Sequence, residues 1–146
     1  MSDFRRLSDT VLASPQIGLE EIAAAKALGV TLVINNRPEG EADDQTPGPD
    51  IEAAARAAGL DYRAIPITPG RFSESEVAAM AEALDSARGM ILSYCRSGTR
   101  SSLLWALAQA SRGSDPDALA EAAAAAGYDV APVRMAMDTL AARARG

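Results

Sequence analysis

The chain has no histidine and a single cysteine in 146 residues. The first absence excludes a Ser-His-Asp triad, a Cys-His pair and any imidazole base, so a nucleophile here must be activated by charge and backbone dipoles. The second excludes an internal disulfide, and with no imidazole either, no structural or catalytic zinc and no cofactor is expected. Met1-Ser2-Asp3-Phe4-Arg5-Arg6 is followed by no apolar run of signal-peptide type, and no stretch reaches membrane-spanning length, which predicts a cytoplasmic protein. A net charge of -6 leaves too little basic surface for nucleic acid or an anionic membrane as partners. A small anion held in a local positive pocket remains compatible with that balance. The basic residues are almost all arginine and alanine is abundant, which reads first as coding bias rather than function.

What is present fits one domain over residues 1–146, with nearly half its residues apolar. Short β-rich runs alternate with alanine-rich helical stretches, the pattern of an α/β fold whose central, mostly parallel sheet of four to five strands is flanked by helices. Strands are expected over 10–13, 31–35, 61–66 and 90–94, and helices from 18 to Gly29, over 51–58, from Ser73 to about 87, and over 102–108. A further helix starts at Ser114-Asp115-Pro116 and stops at Gly127, and a last one spans 133–143 with Met135, Met137 and Leu140 as packing residues. Ser73-Glu74-Ser75-Glu76 has the form of a capping box. Trp105 reads as core. The loop over 36–49, rich in turn formers and acids, is long enough to flank a site or to move.

The strand over 90–94 delivers the chain into Cys95-Arg96-Ser97-Gly98-Thr99-Arg100-Ser101, and a helix follows. A strand, a short polar loop containing glycine and a helix N-terminus together aim backbone N–H groups and the positive helix end at one point. An anion placed there is stabilised, and the same field activates the Cys95 sulfur. Arg96 and Arg100 add full charges, Gly98 permits a left-handed turn, and Ser97, Thr99 and Ser101 offer hydroxyls to the sulfur or the anion. Free cysteines often serve as small buried apolar residues. Two arginines, a glycine and three hydroxyls in the next six residues favour a site instead.

This loop resembles both the phosphate-binding loop of cysteine-dependent phosphatases and the active-site loop of rhodanese-type sulfurtransferases. Taken with Ser14-Pro15-Gln16, Val33-Ile34-Asn35-Asn36-Arg37-Pro38-Glu39, Tyr62-Arg63-Ala64-Ile65-Pro66 and Ser102-Leu103-Leu104-Trp105, the chain is similar over nearly its whole length to one bacterial family. That family is the phosphatase-like domain also found fused to a metallo-β-lactamase-type enzyme in β-lactamase-hydrolase-like proteins. The resemblance implies the protein tyrosine or dual-specificity phosphatase fold. The fused enzyme resembles a persulfide dioxygenase, which implies such an enzyme as a functional partner.

Three departures separate the chain from the phosphatase pattern. Four residues, not five, lie between Cys95 and Arg100, as in rhodaneses. Tyr94 stands where phosphatases carry a histidine. The loop after the 61–66 strand reads Thr68-Pro69-Gly70-Arg71 and lacks the expected aspartate, so an alkoxide leaving group has no evident proton donor. Glu74 or Asp43 are the substitutes, although a helix-start carboxylate and a solvated loop acid describe them as well. Arg71 either receives an anionic group or is a surface arginine, and Arg37 and Glu39 either buttress the loop or pair with each other. No Gly-His-Ile-Pro-Gly-Ala type segment of a true rhodanese precedes the cysteine.

These departures make sulfur transfer through a Cys95 persulfide the leading expectation, with thiosulfate or a persulfide as donor, Cys95 and Arg100 as catalytic residues, and Arg96 steering the donor. Arg71, Arg37 and Tyr94 are the candidate accessory residues. Phosphate-ester hydrolysis through a cysteinyl-phosphate is the first alternative, and a non-catalytic anion- or sulfide-sensing module the second.

Overall fold

The computed structural model describes residues 2–146; Met1 lies outside them. Five strands form one sheet in the order β1-β2-β5-β3-β4: β1 (Arg5–Arg6), β2 (Val11–Ser14), β5 (Met90–Tyr94), β3 (Val30–Asn35) and β4 (Asp61–Ala64). All neighbours run parallel except the short edge strand β1, which pairs antiparallel with β2. β1 has no apolar alternation and is absent from the sequence reading; only its pairing of Arg5 with Ala13 and Arg6 with Leu12 makes it a strand.

Two apolar layers cover the sheet. Leu12, Val33, Leu92 and Tyr94 pack towards α1 (Glu21–Ala27) and α2 (Gly48–Ala57). Val11, Ile34 and Ile91 pack towards α3 (Glu74–Ser86), α4 (Thr99–Ser111), α5 (Pro116–Ala125) and α6 (Arg134–Arg145). Strands buried on both faces explain the continuous apolar runs read in the sequence. Side chains alternate along β5, so Tyr94 follows Leu92 into the first layer.

α4 runs through the second layer, and its residues from Ser101 to Ala108 are all buried. A helix apolar on every side is enclosed by neighbours, here the sheet, α3, α5 and α6. Trp105 is core, as expected, and its indole N–H has no hydrogen-bond partner among the described residues.

The Ser73 capping box is formed in both directions, with Ser73 Oγ accepting from the Glu76 N–H and the Glu76 carboxylate accepting from the Ser73 N–H. Several expectations need correction, among them α1, which starts at Glu21 rather than 18, and β4, which ends at Ala64 rather than 66. α2 starts at Gly48 rather than 51, with a proline in its first turn where no N–H is needed. α4 starts at Thr99, so Thr99, Arg100 and Ser101 are its first turn and not loop. Met135 is 86% exposed: Val133, Met137 and Ala141 form the inward stripe at four-residue spacing, and Met135 lies across the helix from it. Among the described residues no helix is long and apolar enough to cross a membrane.

Candidate active site

In parallel sheets, ligands collect at the carboxyl ends of the strands, where order reverses. Here β5 lies between β2 and β3, and the register aligns Ser14, Tyr94 and Asn35 at that edge. The segments leaving the three strands are therefore neighbours. The Cys95 N–H donates to Ser14 O at 3.3 Å, the Gln16 N–H to Arg96 O at 3.2 Å, and the Asn36 N–H to Tyr94 O at 2.8 Å. Cys95 is held on both sides by backbone.

Cys95 is fully buried, and the Gly98 N–H donates to its Sγ at 3.1 Å. Gly98 has φ +93°, a left-handed conformation, and a Cβ there would lie 2.1 Å from Tyr128 Oη. Only glycine meets both conditions. The Tyr128 hydroxyl donates to Ser97 O at 3.2 Å, and the Arg5 guanidinium lies 5.4 Å from the Tyr128 ring centre. Tyr128 thus presses on the loop from outside. Nothing in the sequence near Tyr128 pointed to this.

Arg100, in the first turn of α4, donates both guanidinium nitrogens to Glu41, at 2.8 and 2.7 Å, and one of them also to Ile67 O at 2.8 Å. Arg37 is buried; it donates to the same carboxylate at 2.9 Å and to Gln16 Oε1 at 3.1 Å. The Arg100 hydrogen bond holds the Glu41 carboxyl at about 2, against the opposing effect of burial and with Arg37 assisting. For Arg100 burial works against the charge, yet Glu41 and Cys95 outweigh it and raise its pKa. Two guanidiniums and one carboxylate leave one net positive charge beside Cys95.

Arg37 therefore pairs with Glu41 and not Glu39, whose carboxylate instead accepts from the Gly48 N–H at the start of α2. Glu41 and Gln16 were missed as site residues. The four-residue spacing of Arg37 and Glu41 was visible, but outside a helix such spacing carries no geometric meaning.

Asn36 joins the remaining parts. Its Oδ1 accepts from Ser93 and Ser101, each at 2.7 Å, and its Nδ2 donates to Ile65 O at 2.9 Å. The Ser101 hydroxyl is thereby committed to Asn36. Ser97 and Thr99 are exposed and bonded to each other at 3.0 Å, and Arg96 and Arg71 are exposed. Tyr94 is buried in the α1–α2 layer among Leu12, Ile17 and Tyr62, and its hydroxyl has no hydrogen-bond partner among the described residues. Asp43 is exposed, and Glu74 pairs with Arg143 at 3.8 Å. No acid lies in the 66–72 loop. Among the described residues no group of three or more His, Cys, Asp or Glu is gathered as for a metal.

The arrangement presents a sulfur at the floor of a helix N-terminus, with guanidiniums beside it. It suits attack on an electrophilic atom of a small anion.

The family described as beta-lactamase hydrolase-like protein, phosphatase-like domain, matches residues 3–112. A Xylella fastidiosa beta-lactamase hydrolase-like protein is 36% identical over 104 residues, which is 70% of this chain and 24% of that protein. Its counterpart in Agrobacterium fabrum is 30% identical over 105 residues, again 24% of its length. The chain thus spans about a quarter of the length of the curated relatives it matches. Among solved structures, a Neisseria meningitidis protein provisionally named a phosphatase superposes with a TM-score of 0.84 at 28% identity, covering 96% of this chain and 99% of that one. A Cys-to-Ser variant of Pseudomonas aeruginosa TpbA in complex with phosphotyrosine superposes at 0.67 with 20% identity, covering 99% and 91%. The fold is that of tyrosine and dual-specificity phosphatases.

Proposed function

This chain belongs to the phosphatase-like domain family of beta-lactamase hydrolase-like proteins, and from that premise we propose that it is a cysteine-dependent phosphoester hydrolase. One observation carries the reading: Cys95 Sγ sits at the β5–α4 turn under the Gly98 N–H, at 3.1 Å, with Arg100 in the first helical turn. The Cys95 thiolate attacks phosphorus, an S–P bond forms as the ester P–O bond breaks, and the leaving oxygen departs with the electron pair. Loop N–H groups and the helix end hold the phosphoryl oxygens, with Arg100 turning from Glu41 to share in that role. Water then cleaves the S–P bond and releases phosphate.

Glu41 is ionised and doubly paired, so it has no proton to lend the leaving group. Aryl esters, whose phenoxide leaves without protonation, are the preferred substrates. Sulfur transfer stands as a second reading, favoured by the four-residue interval between Cys95 and Arg100 and by the acid-free 66–72 loop. There the thiolate attacks the outer sulfur of thiosulfate, an S–S bond forms, and sulfite leaves with the electron pair. A thiol or cyanide then accepts the sulfur, and a persulfide dioxygenase-like enzyme is the fitting partner for a thiol acceptor.

Wild type and Cys95→Ser incubated with an aryl phosphate and, separately, with thiosulfate decide between them. Turnover of the aryl ester that disappears in the variant is the expected result. A Cys95-dependent gain of one sulfur atom in the intact mass, with no ester turnover, replaces the first reading by the second. Bound anion without either reaction leaves only an anion sensor.

A further inference from the structure

A groove of about 830 Å³ opens beside the site, between α3, α4 and α6. Its base is a stripe of α4, Thr99, Leu103, Leu107 and Ser111, spaced by four residues and therefore on one face. At 1.5 Å per residue this stripe extends about 18 Å from the first turn of α4. Val77 of α3, Val133 just before α6 and Leu140 of α6 form its apolar sides, and the exposed Ala78 and Ala136 keep its rim low. Among the described residues its only charged lining groups are Arg100, at the cradle, and Glu74 and Arg143, which pair with each other at 3.8 Å.

Two features specify the occupant. Thr99 and Arg100, in the first turn of α4 directly after the cysteine loop, line one end of the groove, so that end adjoins the loop. One end is cationic and the rest apolar, so the complementary molecule is anionic at one end and apolar beyond it. We propose that the groove is the subsite for the organic part of the substrate, and that the substrate class is an amphiphilic aryl phosphomonoester whose ring carries an extended alkyl chain. This rests on the phosphoesterase reading for the identity of the anion and goes beyond it in assigning what the ester carries. The apolar body leaves water against the half-buried Phe72 and Leu140, above the buried Leu103 and Leu107, while the phosphate occupies the loop. Each methylene so buried strengthens binding by about two- to fourfold.

The test uses ethyl-, butyl- and octylphosphonate, which cannot be hydrolysed, titrated into wild-type protein by calorimetry, beside turnover of phenyl phosphate and 4-octylphenyl phosphate. Octylphosphonate is expected to bind at least tenfold more tightly than ethylphosphonate. In Ala136→Phe, where a ring fills the rim of the groove, the octyl-to-ethyl affinity ratio is expected to fall towards one. Equal affinity for the two chains, or a ratio unchanged by Ala136→Phe, overturns the groove assignment and leaves the phosphoesterase reading standing if the aryl ester turns over. A rising affinity with no ester hydrolysed keeps the groove and removes the phosphoesterase. No binding of any phosphonate overturns both. A second copy of the chain in the groove shows as a dimer in sedimentation with no chain-length dependence, and also overturns it.

Discussion

Glu41 is one carboxylate shared by two guanidiniums, and its environment makes its behaviour with pH definite. Its folded value of about 2 lies below the 4.5 of the unpaired group. Protons therefore bind the unfolded chain more readily, so the stabilisation is complete above pH 4.5 and fades as pH falls towards 2. Glu41→Gln, which leaves Arg37 and Arg100 facing each other, is expected to cost about 1–3 kcal/mol at pH 7. In urea melts the gap between wild type and variant should close as pH falls through that window; a constant gap would show that the carboxylate's charge is not what stabilises the site. Cys95, Arg100 and Gly98 were readable from the chain because strand, turn and helix start are consecutive there, and local spacing sets their geometry. Glu41 and Tyr128 were not, since each reaches the loop from a segment whose course depends on the rest of the fold.

At the level of elements, periodicity located the helices and the four main strands, and errors gathered at their ends. α4 begins earlier than its apolar run because Gly98 turns the chain directly into helix at Thr99, a polar first turn that hydropathy does not register. On α6 both Met135 and Met137 are apolar, but two residues on a helix are about 200° apart, so only one can face the core. Met137 is fully buried and Met135 is 86% exposed. Met137→Ala is accordingly expected to lower stability by about 2–5 kcal/mol, and Met135→Lys to change it by less than about 0.5 kcal/mol. Chemical denaturation of the two variants checks this, and comparable losses would mean that α6 is rotated from the position described.

Across the whole molecule, Asn36 is where β3, β5, α4 and the segment after β4 meet, through Ser93, Ser101, Ile65 O and its own backbone to Tyr94 and Ile67. Asn36→Ala removes one side chain and leaves two buried hydroxyls and a carbonyl without that partner. A loss of about 2–4 kcal/mol is expected, with aryl phosphate turnover falling more steeply than the folded fraction measured in the same sample. Activity that tracks the folded fraction alone would reduce Asn36 to a structural role. The α/β class and the strand–turn–helix segment that carries Cys95 were already determined by residue order, since each depends on periodicity or on neighbours a few positions apart. The Arg37–Glu41–Arg100 cluster, the Tyr128 contact and the apolar groove were decided only by folding. The Glu41–Arg100 pair alone joins residues 59 positions apart, and such meetings are set by the order of strands in the sheet and the packing of helices on it, which no local pattern encodes.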